Sequence, residues 1–324
     1  MLAAVLHRFG PPEVVGLEDV PRPEPRQGDL LVRVHASTVS IADHRMRSRE
    51  VPRGLSLLVA PTLGLFRPRV RTLGMDIAGV VEAVGAGVTA FAPGDEVLAV
   101  NGHRMGGHAQ YAIVRADGVV AAKPVNLSFE DSVALVFGGT TAIVFLRLVP
   151  LGSDTTVLVN GASGAVGSLA VQLAARTGAR VTAVCSGANA DLVRSLGADH
   201  VIDYTREDFT AGDVQYDVIV ECVGNAPFSR VRHLVRPGGA LRQVIIASAG
   251  ALLAGPLQSR RAGFLVTNRN APLDAGVLRE LVALAQAGEI RPVVDRVYDL
   301  VDIVEAHRYV DTGRKRGNVV LRIP

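Results

Sequence analysis

The stretch that decides the fold is a short apolar run leading into a glycine-rich turn, Val157-Leu-Val-Asn-Gly-Ala-Ser-Gly-Ala-Val-Gly-Ser-Leu-Ala-Val-Gln172. The run predicts a buried strand, and the residues after the turn predict an amphipathic helix that ends at Gly178. Gly161 allows a tight reversal of the chain, Gly164 allows the backbone to approach a diphosphate, and Gly167 allows the helix to lie close to the strand. The turn therefore predicts a dinucleotide site, where phosphate oxygens meet unpaired N–H groups at a helix start.

These glycines could also form an ordinary turn between a strand and a helix, without any ligand. The order of strand, turn and helix is the context in which such glycines bind a cofactor, and it favours the binding site. The residues expected to contact the cofactor here are Gly161, Ala162, Ser163, Gly164, Ala165, Val166 and Gly167.

Composition and charge exclude several classes of protein. The 324 residues carry 34 basic and 31 acidic side chains spread along the chain and only 4% aromatic residues, which indicates no nucleic-acid surface. The two cysteines lie in apolar runs, so we expect packed thiols rather than a disulfide or a metal pair. The start has no signal-peptide pattern, and no apolar run reaches about 18 residues. We therefore expect a cytoplasmic protein that does not associate with a membrane.

The character of the sequence changes twice along the chain. Short β-branched runs fill residues 1–125, strands alternate with helices over 126–264, and a mixed pattern returns over 265–324. The repeated βα units predict a doubly wound parallel sheet. We therefore predict an α/β protein with a β-rich domain of residues 1–125 and 265–324 and a Rossmann nucleotide-binding domain of residues 126–264.

Several further motifs occur in a fixed order along the chain. They are Pro21-Arg-Pro-Glu-Pro25, Leu73-Gly-Met-Asp-Ile-Ala-Gly79, Pro93-Gly-Asp-Glu-Val97, Gly107-His-Ala-Gln-Tyr111, Leu196-Gly-Ala-Asp-His-Val-Ile-Asp-Tyr204 and Lys315-Arg-Gly-Asn-Val-Val320. With them the chain resembles the medium-chain dehydrogenase/reductase superfamily over essentially its whole length, and within it the zinc-independent quinone oxidoreductase and enone reductase branch. The resemblance implies a GroES-like catalytic domain, a nicotinamide cofactor and a homodimer formed along a sheet edge.

The sequence also bears on whether a metal takes part. Zinc-dependent relatives carry a cysteine near Ile41 and a His-Glu pair at Met75-Asp76, and this chain has neither. His103 and His108 share one segment but lack a third ligand, so we interpret them as solvated loop residues. We therefore expect no metal, and hydride addition to an activated alkene then fits better than oxidation of simple alcohols.

The end of the second predicted Rossmann strand bears on the choice between NADPH and NADH. NAD sites usually carry an acid there that bonds to the ribose, whereas Val184-Cys-Ser-Gly-Ala-Asn189 has none. This absence favours NADPH and does not exclude NADH. By the resemblance, Ser186 and Tyr204 match positions that bind the 2′-phosphate, and Asn189 stands where relatives often have a cation. Ser186 and Asn189 could also be ordinary turn residues, with Asn189 as a helix N-cap.

The resemblance places the nicotinamide in the cleft between the two domains, next to several other residues. These are Thr141 and the backbone near Val223, Ile246, Phe264 and Val266. Catalytic candidates are Ser40, where relatives commonly have Asn, together with His44 and Tyr111. Each has an alternative: His44 could face solvent and Tyr111 could pack within a strand. Asp43 is interpreted as a helix cap rather than a catalytic acid.

No nucleophile, carboxylate pair or triad emerges, so we expect the cofactor to carry the chemistry. The predicted function is a zinc-independent NADPH-dependent reductase that transfers hydride to a quinone or to the activated C=C of an α,β-unsaturated carbonyl compound. A hydroxyl or an ordered water would polarise the carbonyl. Two alternatives stay open: a zinc-free alcohol or carbonyl dehydrogenase, and a non-catalytic NADPH-binding structural or regulatory protein.

Overall fold

A computed structural model of the chain describes residues 1–51, 63–245, 249–267 and 271–324, with 249–253 and 261 described in their backbone only. The chain divides into two compact units. Among the described residues, the first unit comprises 1–51, 63–140 and 273–324, and the second comprises 141–245, 249–267 and 271–272.

The strands of the described residues are numbered in chain order. They are β1 (Leu2–Leu6), β2 (Val15–Asp19), β3 (Asp29–Val39), β4 (Asp76–Val84), β5 (Glu96–Val100), β6 (Tyr111–Arg115), β7 (Val119–Ala122), β8 (Thr156–Asn160), β9 (Arg180–Cys185), β10 (His200–Asp203), β11 (Tyr216–Glu221), β12 (Val235–Gln243), β13 (Leu265–Thr267), β14 (Val294–Asp299) and β15 (Asn318–Arg322). The α-helices are α1 (Ile41–Ser48), α2 (Phe129–Leu146), α3 (Ala165–Ala175), α4 (Ala190–Ser195), α5 (Phe228–Val231), α6 (Ala249–Ala262), α7 (Ala275–Gln286) and α8 (Ile303–Asp311).

The first unit is built on a seven-stranded sheet. Its strands follow the order β14-β15-β3-β4-β5-β7, with β6 also paired to β3. All pairs are antiparallel except β14 with β15, and both of these strands come from the end of the chain. Leu30, Val32 and Ile77 lie in its core and are fully buried. Strand β3 is central to the sheet and is buried on both faces, with only Arg33 exposed along its length.

The second unit is built on a six-stranded, wholly parallel sheet in the order β10-β9-β8-β11-β12-β13. The chain winds outward from β8 in one direction through β9 and β10, and in the other through β11 to β13. The order therefore reverses between β8 and β11, which is the switch point where doubly wound sheets bind ligands. The predicted fold class is confirmed.

Two helices are more deeply buried than an amphipathic helix on the surface would be. Every residue of α3 from Ala165 to Ala174 is buried, so α3 is a buried helix rather than the amphipathic one predicted. Its sequence contains no charged residue, which explains the difference. Among the described residues, α2 alone is long and apolar enough to cross a membrane, but 72% of its apolar window is buried inside the protein, as in a core helix.

The unit boundaries fall at 140/141 and 272/273, whereas the predicted domain boundaries fall at 125/126 and 264/265. The first half of α2 belongs to the first unit, because the Asn318 side chain donates to the Ala134 carbonyl oxygen at 2.7 Å. Strand β13 belongs to the second unit, because it pairs in parallel with β12.

Candidate functional site

The glycine turn, residues 161–167, connects the end of β8 to the start of α3. Gly161 has a φ of +80°, and a Cβ there would lie 2.7 Å from Cγ2 of Val223. A Cβ on Gly167 would lie 2.1 Å from the Gly161 carbonyl oxygen, so only glycine lets the helix approach the turn this closely. The structural roles predicted for Gly161 and Gly167 are confirmed.

Not every residue of the glycine turn can offer an N–H group to a phosphate. The N–H groups of Gly161 and Ala162 both donate to the carbonyl oxygen of Val184, at 3.1 and 3.0 Å. These two donors are therefore already used, and Ala162 is fully buried. Gly164 is the N-cap of α3 and supplies no side-chain cap. The N–H groups that begin α3 are consequently the ones suited to an anion.

The loop after β9 brings together two residues predicted to contact the cofactor. The Asn189 side chain donates to the Ser163 hydroxyl at 3.0 Å, which joins this loop to the glycine turn. Asn189 occupies the N-cap position of α4, as its alternative interpretation predicted, but its side chain makes no cap bond there. Ser186 likewise makes no side-chain cap bond where it precedes a short 3-10 helix. Tyr204, after β10, is 60% exposed.

Two charged residues next to this loop were missed in the sequence. A Cβ on Gly187 would lie 2.4 Å from the carboxylate of Asp203, so an acid from the third strand reaches the loop that follows the second strand. Bonds from the Thr205 hydroxyl and backbone N–H lower the Asp203 pKa, so the group is charged but already engaged. Arg206, whose side chain is 86% exposed, lies 3.6 Å from Asp203. In the sequence, the position of Arg206 two residues after Tyr204 could have indicated that it lies near the cofactor site.

The last residues of β8 and β11 form a buried polar pair that sequence reasoning also missed. Asn160 donates to Glu221 at 2.9 Å, and both side chains are almost fully buried. Burial raises the Glu221 pKa, while bonds from the backbone N–H groups of Gly224 and Val223 oppose that shift. The pair lies at the switch point of the sheet. In the sequence, a polar residue at the carboxyl end of each of these two strands could have indicated the pair.

The remaining predicted cofactor residues divide into exposed and buried ones. Val223 is 46% exposed beside the glycine turn, and Thr141 is half-buried within α2. Phe264 and Val266 are buried in the core of the second unit, and the N–H of Val266 donates to the Ser259 hydroxyl at 2.9 Å. The predicted contact is with the backbone near these residues, and it stays a prediction. Ile246 lies outside the described residues.

In the first unit, Ser40 and Asp43 form the cap of α1. The Ser40 hydroxyl accepts from the N–H groups of Ala42 and Asp43, while the Asp43 carboxylate accepts from the Ser40 N–H at 2.8 Å and hydroxyl at 2.6 Å. Its other oxygen accepts from the Gly74 N–H at 2.9 Å. The interpretation of Asp43 as a cap is confirmed. The Ser40 hydroxyl, predicted as catalytic, has its proton committed to this capping box.

His44 and Tyr111 do not join Ser40 in one group. The ring nitrogens of His44 lie 2.6 Å from Asp311 and 2.9 Å from Glu50, so this histidine is held by carboxylates. Tyr111 pairs with Arg33 in the sheet, and its ring lies under the Arg22 guanidinium at 4.1 Å. Ser40 lies seven positions after Arg33 at the end of the same strand, which is roughly 20 Å. The alternative interpretation of Tyr111, packing within a strand, is confirmed, and Tyr111 lies far from Ser40 along the sheet.

The described residues do not contain a group of three His, Cys, Asp or Glu side chains suited to a metal. Ile41 and Met75 offer no oxygen, nitrogen or thiolate ligand where zinc-dependent relatives bind the metal. His103 is exposed as expected, but His108 is fully buried and its Nε2 lies 2.9 Å from the Thr38 carbonyl oxygen. The interpretation of His108 as a solvated residue is wrong, because its segment pairs against the core of the first unit.

Buried titratable groups lie close to the α1 cap. Burial raises the pKa of Asp76 to about 7, although a bond from the Thr38 hydroxyl at 2.7 Å opposes that shift. Burial holds the pKa of His307 well below its usual value, and the nearby His108 adds to this effect. Both groups are therefore held in their neutral forms more strongly than in water.

Two family models match the chain, and the second match crosses the boundary between the two units. The family model for the alcohol dehydrogenase GroES-like domain matches residues 26–124, and that for zinc-binding dehydrogenase matches residues 196–321. The chain is 31% identical to a quinone oxidoreductase of Sus scrofa, covering 99% of this chain and 97% of the relative. It is 29% identical to an NADPH-dependent alkenal/one oxidoreductase of Arabidopsis thaliana, covering 99% and 79% of the two chains.

A solved structure shares the whole architecture. The quinone oxidoreductase from Coxiella burnetii superimposes with a TM-score of 0.89 at 28% identity, covering 100% of this chain and 99% of that one. The chain therefore belongs to the medium-chain dehydrogenase/reductase superfamily, in its quinone oxidoreductase-like branch. It is an oxidoreductase of an NAD(P)H-dependent family.

Proposed function

We propose that this protein is a zinc-independent, NADPH-dependent reductase that transfers hydride to a quinone or to the activated C=C of an α,β-unsaturated carbonyl compound. The observation that carries the proposal is the uncapped start of α3 behind the glycine turn, which offers N–H groups to a diphosphate. When bound, the reduced nicotinamide supplies the hydride. The described residues supply no metal ligand set, so stabilisation of the developing enolate falls to hydrogen-bond donors.

The preference for NADPH rests on the loops after β9 and β10. Ser186 and Tyr204 stand at positions suited to the 2′-phosphate, and the exposed Arg206 adds a cation beside them. Asp203 is close to the same loop, but its hydrogen bonds to Thr205 already engage it. Fluorescence titration with both reduced cofactors tests the preference, and we expect NADPH to bind more tightly. Equal or tighter NADH binding would reject it.

Turnover is tested by following NADPH absorbance with a panel of quinones, enones, aldehydes and alcohols. We expect oxidation of NADPH by quinones or enones, without added metal and with no stoichiometric zinc in elemental analysis. Metal-free turnover of alcohols or aldehydes alone would favour a zinc-free alcohol or carbonyl dehydrogenase. Tight NADPH binding with no turnover of any substrate would favour a non-catalytic NADPH-binding protein.

The assembly and location are also part of the proposal. We propose a cytoplasmic homodimer that acts on a small molecule and has no nucleic-acid or membrane partner. The edge strand β13, with Leu265 41% exposed, supports pairing along the sheet. Sedimentation of the purified protein tests this assembly, and a monomer at micromolar concentration would contradict it.

A further inference from the structure

The buried carboxylate of Glu221 holds the turn that follows β11. Its Oε1 accepts from the Val223 N–H at 2.9 Å, and both oxygens accept from the Gly224 N–H at 2.8 Å. Asn160, its neighbour across the sheet, donates to the same oxygen at 2.9 Å and to the Asn225 side chain at 2.8 Å. One carboxylate thus holds the bend that residues 222–225 form, which we call the 222–225 turn.

This turn lies directly against the glycine turn. Cγ2 of Val223 is 2.7 Å from the position that a Cβ on Gly161 would occupy. The N–H of Cys222 donates to the Asn160 carbonyl oxygen at 3.1 Å, which ties the turn to the end of β8. Val223 nevertheless remains 46% exposed. The 222–225 turn therefore forms one wall of the crevice at the switch point, where a dinucleotide lies in doubly wound sheets.

A carboxylate suits this task better than a neutral side chain. An ionised carboxylate accepts through both oxygens, whereas an amide of the same shape has one accepting oxygen and one donating NH₂ group. The partners described for Glu221 are all N–H donors. Glutamine at this position would place an NH₂ group against at least one of them, and a buried donor left without an acceptor is costly.

We propose that Glu221, together with Asn160, is a positioning residue for the cofactor: its carboxylate holds the 222–225 turn against the glycine turn, so that Val223 presents a fixed surface to the reduced nicotinamide dinucleotide. The proposal rests on the proposed function, because it requires that the glycine turn binds such a cofactor. It assigns Glu221 no contact with the reacting atoms.

The same two strands provide a matched control at their other end. There, Asp217 of β11 accepts from the Thr156 N–H and hydroxyl of β8, both at 2.7 Å, and from Arg236 at 2.9 Å. This network also joins β8 to β11 through one carboxylate. It lies four residues from Glu221, about 13 Å along the strand. Asp217→Asn therefore tests the general effect of loosening this strand pair.

The experiment compares Glu221→Gln with Asp217→Asn in the full-length protein. We expect Glu221→Gln to weaken NADPH binding about tenfold, as measured by fluorescence titration, and to change kcat at saturating NADPH less than threefold. The same weakening is expected for NADH, because the 222–225 turn is separate from the loop after β9. Asp217→Asn should lower the urea midpoint but leave both dissociation constants unchanged.

Several outcomes would overturn the inference. One is wild-type affinity in Glu221→Gln, and another is equal weakening in Glu221→Gln and Asp217→Asn. If Glu221→Gln does not fold, Asn160→Ala decides, because it removes one bond to the carboxylate and keeps the backbone bonds of the turn. We expect a loss of about threefold, and wild-type affinity in this variant would also overturn the inference. Failure of the wild-type protein to bind either cofactor would instead reject the proposed function.

Discussion

Two junctions of this protein each connect a strand to a helix, but they differ in whether side chains satisfy the N–H groups at the helix start. At the first, β3 leads into α1, and Ser40 with Asp43 satisfies the N–H groups at the helix start. At the second, β8 leads into α3, and the cap is Gly164, which has no side chain to offer. Side-chain caps use up the donors that an anion would need. The uncapped junction is therefore suited to binding a ligand, and the capped one is suited to rigidity.

The largest effect is expected from Gly167→Ala, which would break the uncapped junction. The new Cβ would lie 2.1 Å from the Gly161 carbonyl oxygen and 2.8 Å from Cα of Ala162. We expect a loss of about 3 kcal/mol in the free energy of unfolding. NADPH binding should be lost as well. Urea unfolding and fluorescence titration measure the two effects.

Gly164→Ala is the matched variant in the same turn. Its Cβ would meet only the Gly161 carbonyl oxygen, at 3.3 Å, so stability should change by less than about 1 kcal/mol. The methyl group would still stand where the backbone approaches the diphosphate, and NADPH affinity should fall. Wild-type affinity in Gly164→Ala would show that this approach is not part of binding.

The next effect concerns the capped junction and is tested by Asp43→Asn. The amide would keep one acceptor, but its NH₂ group would face the N–H of either Ser40 or Gly74. We expect a loss of about 2 kcal/mol in the free energy of unfolding, measured with urea. Asp95→Asn is the control, since Asp95 accepts from the Ala92 N–H in an exposed turn. Equal losses of unfolding free energy in Asp43→Asn and Asp95→Asn would show that burial of the carboxylate does not determine the effect.

A smaller, pH-dependent effect is expected from Asp76→Asn beside the capped junction. The folded-state pKa of Asp76 is about 7 against a model-peptide value of 3.8, so the folded protein retains this proton more strongly than the unfolded chain. Its contribution to stability is therefore lost as the pH rises from about 4 through 7. Asparagine cannot ionise, and the stability of the variant relative to wild type should increase between pH 5 and pH 8.

Urea unfolding at the two pH values measures this change. Asp117→Asn is the control, because the bond from Arg115 lowers the pKa of this exposed carboxyl below its ordinary value of 3.8. Asp117 is therefore ionised in both the folded and the unfolded chain above pH 5, and the stability of Asp117→Asn relative to wild type should not change between pH 5 and pH 8. A constant difference between Asp76→Asn and wild type at both pH values would show that Asp76 is ionised throughout.

The smallest effect is expected from Tyr111→Phe. The hydroxyl lies in β6, roughly 20 Å along the sheet from Ser40, while the ring that packs under Arg22 is kept. We expect kcat in the quinone and enone assay to change less than twofold. A fall of a hundredfold would return Tyr111 to the catalytic candidates.

The sequence predicted much of the fold because its signals are local. The glycine turn, the repeated βα units and the short strands of the first unit each depend on residues close together in the chain. The predicted structural roles of Gly161 and Gly167 needed only the spacing of glycines between a strand and a helix. The assignment of Asp43 as a cap likewise followed from the first turn of one helix.

The sequence by itself determined the class of sheet, the glycine turn and the family to which the chain belongs. Only the tertiary structure decided which polar groups meet, such as Asn160 with Glu221, which are 61 residues apart. The tertiary structure also placed Asp203 next to Gly187 and placed His108 in the interior. It separated Tyr111 from Ser40 along the sheet. The physical reason is that strand order and register determine these long-range contacts, and neither can be read from a local pattern of residues.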